Sequence, residues 1–202
     1  SLDARLRGLV LSYLRRVHKD LGIPMVYVSH SISEVLALAD DALVLSGGAV
    51  VSSGRPSRVL LDPAVGGLLR DEPVENLLDG TVLEPGGGGA SGRVRVGNAD
   101  IVTPPSDRAP DAPVIMALGA EEIILSTGEP SGLSARNAIA GLITELEPVG
   151  GLVYASVDIG VPVLVALTPG GVDALSLERG QHAYLVFKTS SIKLLDAAPA
   201  GP

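Results

Sequence analysis

Three polar residues in the C-terminal third of the chain have the types and setting of an anion site. Ser134 and Arg136 form a Ser-x-Arg sequence just before an apolar stretch, and Lys188 ends the apolar run 184–187. A buried or half-buried ammonium needs a partner of opposite charge. A small dianion would provide one, because arginine, lysine, serine and backbone N–H groups make charge-assisted hydrogen bonds to its oxygens.

An internal repeat makes these residues stand out. Segment 76–85 resembles 137–148, and 114–125 resembles 183–194, so the sequence predicts two related β units. The alignment sets three residues of the first unit against three of the second, Pro73 against Ser134, Glu75 against Arg136 and Gly119 against Lys188. The second unit therefore has two cations and a hydroxyl where the first has one carboxylate and no other polar side chain.

Two ordinary explanations compete with an anion site. A Ser-x-Arg sequence in a loop is most often a solvated turn. The Lys188 ammonium could also be neutralised inside the chain by a carboxylate, the candidates being Glu145, Glu147 and Asp158.

One residue of the first third has the position of a catalytic group. The apolar run 25–28 does not alternate, which predicts a strand buried on both faces of a parallel sheet, and His30 follows it. Side chains at the carboxyl end of such a strand face the ligand crevice of open α/β sheets. An imidazole there can donate to a phosphate or orient a water molecule, and a structural histidine is the alternative.

The elements around His30 are predicted to be α/β. Apolar residues recur every three or four positions over 4–21, which predicts an amphipathic helix with Asp3 as its N-cap and Gly22 as its stop. A helix is predicted next over 33–40, followed by a hairpin over 42–52 around a Gly-Gly turn. Two short helical stretches are predicted over 56–61 and 63–69.

Beyond about residue 75 the sequence predicts a small all-β region. Short β-rich runs are separated there by clusters of glycine and proline. Four consecutive glycines, 86–89, are expected to form a flexible hairpin tip. Because so small a β unit rarely has a large core, we expect the units to pair with each other or between chains.

Composition excludes several functions. The net charge of −8 argues against wide contact with nucleic acid, and the absence of cysteine excludes disulfides and thiolate metal sites. No spacing of His, Asp and Glu predicts a metal site. The three lysines, Lys19, Lys188 and Lys193, follow His, Phe and Ile, so the sequence has no Gly-Lys-Ser/Thr P-loop.

Residues 1–74 resemble the C-terminal part of an ABC-transporter nucleotide-binding domain. The first residues, with Asp3, resemble the D-loop, and segment 26–45, with a Glu after His30 and an Ala-Asp pair, is similar to the switch-histidine segment. The resemblance implies catalytic roles in a longer protein: His30 contacts the γ-phosphate of Mg²⁺-bound ATP and the attacking water, and Asp3 lies at a dimer interface. It implies that Walker A, the Q-loop, the signature and Walker B lie upstream, so we expect no ATP hydrolysis by this chain alone.

Residues 134–195 resemble a molbindin (Mop) domain. The Ser-Ala-Arg-Asn sequence at 134–137 and the Val-Phe-Lys-Thr-Ser sequence at 186–190 carry the resemblance. It implies a small OB-like barrel whose copies pair to bind molybdate or tungstate at their interface. The oxyanion contacts that it implies are Ser134, Arg136, Lys188, Thr189 and Thr168.

The expected fold class is an α/β remnant of an ABC ATPase nucleotide-binding domain (1–74) followed by tandem all-β OB-like units (75–130 and 131–196). The resemblances imply the ATP-binding subunit of a molybdate or tungstate importer, with a regulatory oxyanion-binding domain. Such a subunit is expected to be a homodimer on the cytoplasmic face of the membrane, with a permease and an extracytoplasmic binding protein as partners. The alternatives are a cytoplasmic oxyanion-binding protein without an ATPase role, and an ABC ATPase for sulfate, iron or a sugar.

Overall fold

The computed structural model describes residues 4–56, 59, 62–66, 68, 74–149 and 151–196. Four helices are bounded as follows: α1 Ala4–Leu21, α2 Ile32–Leu38, α3 Pro63–Gly66 and α4 Pro169–Leu175. The strands are β1 Ala42–Ser46, β2 Ala49–Gly54, β3 Glu75–Glu84, β4 Gly92–Val96, β5 Ala99–Thr103, β6 Pro113–Gly119, β7 Ile124–Ser126, β8 Asn137–Val149, β9 Leu152–Asp158, β10 Pro162–Leu167, β11 His182–Phe187 and β12 Ile192–Asp196.

The amphipathic helix predicted over 4–21 is confirmed as α1. It ends at Gly22, whose φ of +61° is a left-handed conformation and whose N–H donates to His18 O at 3.0 Å. The helix packs beside β12, and its Arg15 Nη1 lies 2.8 Å from Asp79 Oδ2 on β3. Asp3, its predicted N-cap, lies outside the described residues.

The buried strand predicted over 25–28 is wrong. The segment belongs to no sheet among the described residues, and the side chains of Val26 and Val28 are 96% and 90% exposed. An apolar run of this kind predicts a strand only where neighbouring strands pair with it, and the described part of the chain offers it none.

The next predicted elements agree with the structure within the described residues. The helix predicted over 33–40 is α2, and the predicted hairpin is β1–β2, whose turn has positive φ at Gly47 and Gly48. Of the two short helical stretches, the described residues contain α3.

Two five-stranded antiparallel sheets form the β region. The first has the strand order β12-β6-β3-β4-β5, and the second has the order β10-β9-β8-β11-β7. Strand β7 follows β6 in the chain but pairs with β11, and β12 follows β11 but pairs with β6. The two halves of the β region therefore exchange their last strands, and this exchange ties the sheets together.

The internal repeat recurs as equivalent close contacts in the two sheets. A Cβ at Gly80 on β3 would lie 2.6 Å from Val94 Cγ1, and one at Gly141 on β8 would lie 2.6 Å from Val157 Cγ1. Both strands therefore need glycine where they cross the next strand so closely. One hydrophobic core joins side chains of both sheets, among them Val82 and Ile143, each fully buried.

Two buried asparagines at equivalent positions link each sheet to the other. Asn137 on β8 accepts from Val102 N at 2.8 Å and donates to Val102 O at 2.9 Å. Asn76 on β3 likewise accepts from Leu164 N at 2.8 Å and donates to Leu164 O at 2.9 Å. We call these two contacts the amide bridges. Each satisfies the backbone of an edge strand that would otherwise lack a partner there.

We expect the pKa of His18 to lie above its ordinary value of 6.5, because its ring bonds to Ile23 O at 3.1 Å and then to Asp40 Oδ2 at 2.9 Å. Protonation is then favoured in the folded state. The hydrogen bonds of the His18 ring therefore stabilise the folded state most below pH 6.5. This contribution is lost as the pH rises through the raised pKa of His18. An NMR titration should show the raised value, and Asp40→Asn should lower it. The neighbouring Asp41→Asn is the control, and an equal decrease in both variants would contradict this assignment.

Candidate functional site

The predicted anion-site residues lie where β8 begins and β11 ends. Asn137 and Phe187 are partners in the register of these two antiparallel strands. Arg136 precedes Asn137 and Lys188 follows Phe187, so the two cationic residues come next, opposite each other beyond the last strand pair. Both side chains are exposed, so the expectation of a buried or half-buried ammonium at Lys188 is wrong. The structure therefore brings together the two cations that the repeat alignment singled out.

Within the described part of the chain, the two cations have no carboxylate partners. The ion pairs of the described residues do not include Lys188 or Arg136, so the predicted alternative of an internal pair with Glu145, Glu147 or Asp158 is not observed. Like charges at directly opposed positions of neighbouring strands are destabilising, and an anion bound between them would relieve that repulsion. In a chain with a net charge of −8, this is a local site of the opposite sign.

Thr189, which directly follows Lys188, adds a hydroxyl to this strand end. It opens the 3-10 turn Thr189–Ser191, which packs close to β5. Its Oγ1 is buried, and no hydrogen-bond partner for it is present among the described residues. Because a buried hydroxyl without a partner costs roughly 1–3 kcal/mol, a ligand that accepts its hydrogen bond would remove that cost.

The other two predicted contacts are placed differently. Ser134 is exposed, two residues before Arg136. Thr168 is the N-cap of α4, and its Oγ1 accepts from Gly171 N at 3.1 Å. It follows β10, which β9 and β8 separate from β11 in the second sheet. The structure therefore does not bring Thr168 to the Arg136–Lys188 pair within one chain.

The equivalent strand end of the first sheet is occupied by contacts within the protein. There, Glu75 pairs in register with Gly119, as the repeat alignment predicts. Glu75 Oε1 accepts from Lys193 Nζ at 3.1 Å, and its backbone N–H donates to Ser33 Oγ of α2 at 2.9 Å. The neighbouring Ile32 packs in an apolar cluster with Val74, Ala120 and Tyr154. This end of the first sheet is a docking position for α2.

One residue of the cluster was not predicted from the sequence. Arg136 Nη1 donates to Ser91 Oγ at 3.3 Å, and Ser91 directly precedes β4 in the first sheet. The only signal near Ser91 in the sequence is the run of four glycines before it. Such a run predicts a turn and does not indicate which distant residue the turn meets.

The predicted catalytic residues are not assembled into a site by the described residues. His30 is exposed at the bend before α2, and Asp3 lies outside the described part of the chain. Close to His30, Glu34 accepts hydrogen bonds from Tyr27 Oη at 2.9 Å and Ser29 Oγ at 2.5 Å. Partial burial, followed by the bond to Glu34, raises the pKa of Tyr27.

The described residues contain neither a metal-binding cluster nor a membrane-spanning helix. No cluster of three or more His, Asp or Glu side chains there is arranged to hold a metal ion. Likewise, none of the described helices combines the length and the apolar character that crossing a membrane requires.

Known proteins resemble the chain in two ways. Residues 133–194 match the family model of the TOBE domain. The molybdenum import ATP-binding protein ModC of Mesorhizobium japonicum is 35% identical over 95% of this chain and 52% of its own length. The ModC of Rhizobium meliloti is 34% identical over 95% of this chain and 54% of its own length. The molybdate/tungstate import ATP-binding protein WtpC of Pyrococcus abyssi is 30% identical over 96% of this chain and 54% of its own length.

A solved structure resembles part of the fold. The cytoplasmic molybdate-binding protein ModG, crystallised with molybdate bound, matches with a TM-score of 0.53 and 24% identity, over 59% of this chain and 94% of that chain. At this identity the likeness concerns the fold alone. The chain spans about half the length of the curated relatives that it matches. Residues 133–194 are therefore similar to a TOBE domain, and nearly the whole chain is similar to the import ATP-binding proteins ModC and WtpC.

Proposed function

We propose that Ser134, Arg136, Lys188 and Thr189 bind a tetrahedral oxyanion, molybdate or tungstate. The observation that carries this proposal is the opposed Arg136–Lys188 pair, which has no carboxylate partner among the described residues. The buried Oγ1 of Thr189, for which the described residues offer no hydrogen-bond partner, supports it, because a hydroxyl can donate to an acceptor oxygen of the ligand.

The proposed contacts supply different kinds of hydrogen-bond donor. The Arg136 guanidinium presents several N–H donors in a planar fork, and the Lys188 ammonium is a compact positive charge. Together they match the two negative charges of the dianion, and the hydroxyls of Ser134 and Thr189 donate to its remaining oxygens. We assign Thr168 to the part of the site that a second copy contributes, since paired copies are what the molbindin resemblance implies.

We further propose that this sequence acts within the ATP-binding subunit of a molybdate or tungstate importer. The relatives named above support this role, and residues 1–74 would then complete a nucleotide-binding domain followed by β units at 75–130 and 131–196. In the longer protein His30 and Asp3 would serve the Mg²⁺–ATP site and the dimer interface. The sequence contains no Gly-Lys-Ser/Thr, so we assign ATP hydrolysis to that longer protein and not to this chain.

The proposed partners follow from the importer role. They are a second copy of the subunit, a membrane permease on whose cytoplasmic side the subunit sits, and an extracytoplasmic binding protein that delivers the anion. In this arrangement the β region senses the imported oxyanion and lowers transport when that anion is abundant.

A thermal-shift series tests the oxyanion proposal. We expect molybdate and tungstate to raise the melting temperature of the chain, because a ligand at a hundred times its Kd stabilises the folded state by about 2.7 kcal/mol. Sulfate and phosphate at the same concentration and ionic strength should raise it less. Equal shifts with all four anions would indicate a general salt effect and would contradict a selective site.

A further inference from the structure

We propose that Ser91 is a positioning residue of the oxyanion site: it holds the Arg136 guanidinium in place for the anion. This inference rests on the proposed function. Ser91 belongs to the first sheet and Arg136 directly precedes the second, so their 3.3 Å hydrogen bond makes the site depend on both halves of the β region.

Backbone hydrogen bonds and close packing define the conformation of the loop before Ser91. Gly87 and Ala90 exchange backbone hydrogen bonds of 3.1 and 2.9 Å across the hairpin tip. Gly86 has a φ of +74°, and a Cβ there would lie 2.7 Å from Gly92 N, so the chain packs closely against itself. The base of the loop is fixed as well, because Ser106 N donates to Pro85 O at 2.7 Å. The glycine run forms the predicted hairpin tip, and these hydrogen bonds close it just before Ser91.

The strand pairing explains why Ser91 meets Arg136. Gly92, the residue after Ser91, pairs with Thr103 on β5. The residue before Thr103 is Val102, which the amide bridge joins to Asn137. Arg136 precedes Asn137, and Ser91 precedes the residue paired with Thr103. Ser91 and Arg136 therefore lie on the same side of the amide bridge between Val102 and Asn137. The 3-10 turn that begins at Thr189 packs close to β5 at the same place.

The other half of the repeat shows what replaces the serine. Gly80 contacts Val94 in the first unit and Gly141 contacts Val157 in the second, so Val94 and Val157 are equivalent residues. Ser91 and Tyr154 each lie three residues before these valines and are therefore equivalent to each other. The Tyr154 ring belongs to the apolar cluster that receives Ile32 of α2, beside Val74 and Ala120. The first-sheet end thus has a large ring suited to a protein contact. The equivalent end of the second sheet has a small hydroxyl that bonds to a guanidinium.

This contact would help binding by ordering Arg136 beforehand. An exposed arginine loses side-chain entropy when it binds a ligand, and a hydrogen bond that already limits its conformations reduces that loss. Ser91 uses one of the N–H donors of Arg136 and leaves the others for the anion. The serine therefore acts through the arginine and does not need to touch the ligand.

Calorimetric titration of the chain with molybdate tests the inference. We expect Ser91→Ala to raise the Kd about three- to ten-fold, the effect of losing one ordinary net hydrogen bond, and to leave the melting temperature within about 2 °C of that of the wild type. Ser91→Thr keeps the hydroxyl and should bind within about two-fold of the wild type. Ser53→Ala, at an exposed serine of β2, is the matched control and should leave the Kd unchanged.

A double-mutant cycle separates positioning from a general effect. In an Arg136→Lys background, Ser91→Ala should have little further effect, because the guanidinium that the serine orients is gone. Unchanged binding by Ser91→Ala, or the same fold-loss in both backgrounds, would overturn the inference while leaving the proposed function intact. Failure of the wild-type chain to bind molybdate would instead overturn the proposed function, and this inference with it.

Discussion

Replacing Lys188 with alanine, or Arg136 with alanine, is expected to weaken molybdate binding about 10- to 100-fold, because each change removes a charge-assisted hydrogen bond to a dianion. The loss should be large because no described carboxylate pairs with either of these two cations, which leaves their charges available to the ligand. Calorimetric titration of each variant measures the effect directly. The double variant should show no binding at concentrations that saturate the wild type.

Lys193→Ala is the matched control for this prediction. Lys193 lies five residues beyond Lys188, but its Nζ is 3.1 Å from Glu75 Oε1 and belongs to the first-sheet end. Its removal lowers the net positive charge of the region by the same amount, and we expect the Kd for molybdate to stay within about two-fold. An equal loss in Lys193→Ala and Lys188→Ala would mean that binding depends on the general charge of the region and would contradict a specific site.

Replacing Asn137 with alanine is expected to lower the free energy of unfolding by about 3 kcal/mol, because both Val102 N and Val102 O lose their side-chain partner in a partly buried position. For a chain of this size such a loss corresponds to a fall in melting temperature of about 6–12 °C. Urea denaturation followed by circular dichroism measures the free energy. Asn76→Ala should have a similar effect, since it removes the equivalent amide bridge to Leu164.

Asn98→Ala provides the control for the amide bridges. Asn98 is an exposed asparagine in the turn between β4 and β5, and its backbone N–H donates to Ile159 O. Its side chain can be removed without breaking that bond, so we expect a change of less than about 1 kcal/mol. A destabilisation by Asn137→Ala no larger than that of Asn98→Ala would contradict the role given to the amide bridges.

The repeat could be predicted from the sequence because its shared residues are ones that the fold cannot easily replace. Gly80 and Gly141 each lie where a Cβ would collide with a valine on the next strand. Asn76 and Asn137 each satisfy the backbone of another strand. Constraints this strong leave the same residue type at the same place in both halves, which makes the alignment of Arg136 with Glu75 possible.

Long-range pairing is the part of the fold that local patterns could not predict. The patterns at 124–126 and 192–196 are apolar and β-prone, but nothing in them says that each strand joins the sheet of the other half. The run 25–28 shows the opposite failure, because it has the pattern of a buried strand and lies exposed. In both cases the outcome depends on distant partners rather than on the segment itself.

In the candidate site, too, local sequence patterns predict some features and contacts with distant residues determine others. The repeat alignment singled out Arg136 and Lys188 as cations without counterparts in the first unit, but their opposition became visible only from the register of β8 with β11. The contact with Ser91 was not predictable, since it depends on a glycine turn of the first sheet reaching the start of β8. The N-cap role of Thr168 was likewise visible only once the boundary of α4 was known.

Crystals of the chain grown with tungstate, measured at the tungsten absorption edge, test the central claim most directly. We expect one strong anomalous peak between the Arg136 guanidinium and the Lys188 ammonium, with tungstate oxygens within hydrogen-bond distance of both and of Thr189 Oγ1. The equivalent end of the first sheet, beside Glu75, should show no peak. Tungsten peaks only at other positions, or a peak of equal height beside Glu75, would contradict the account.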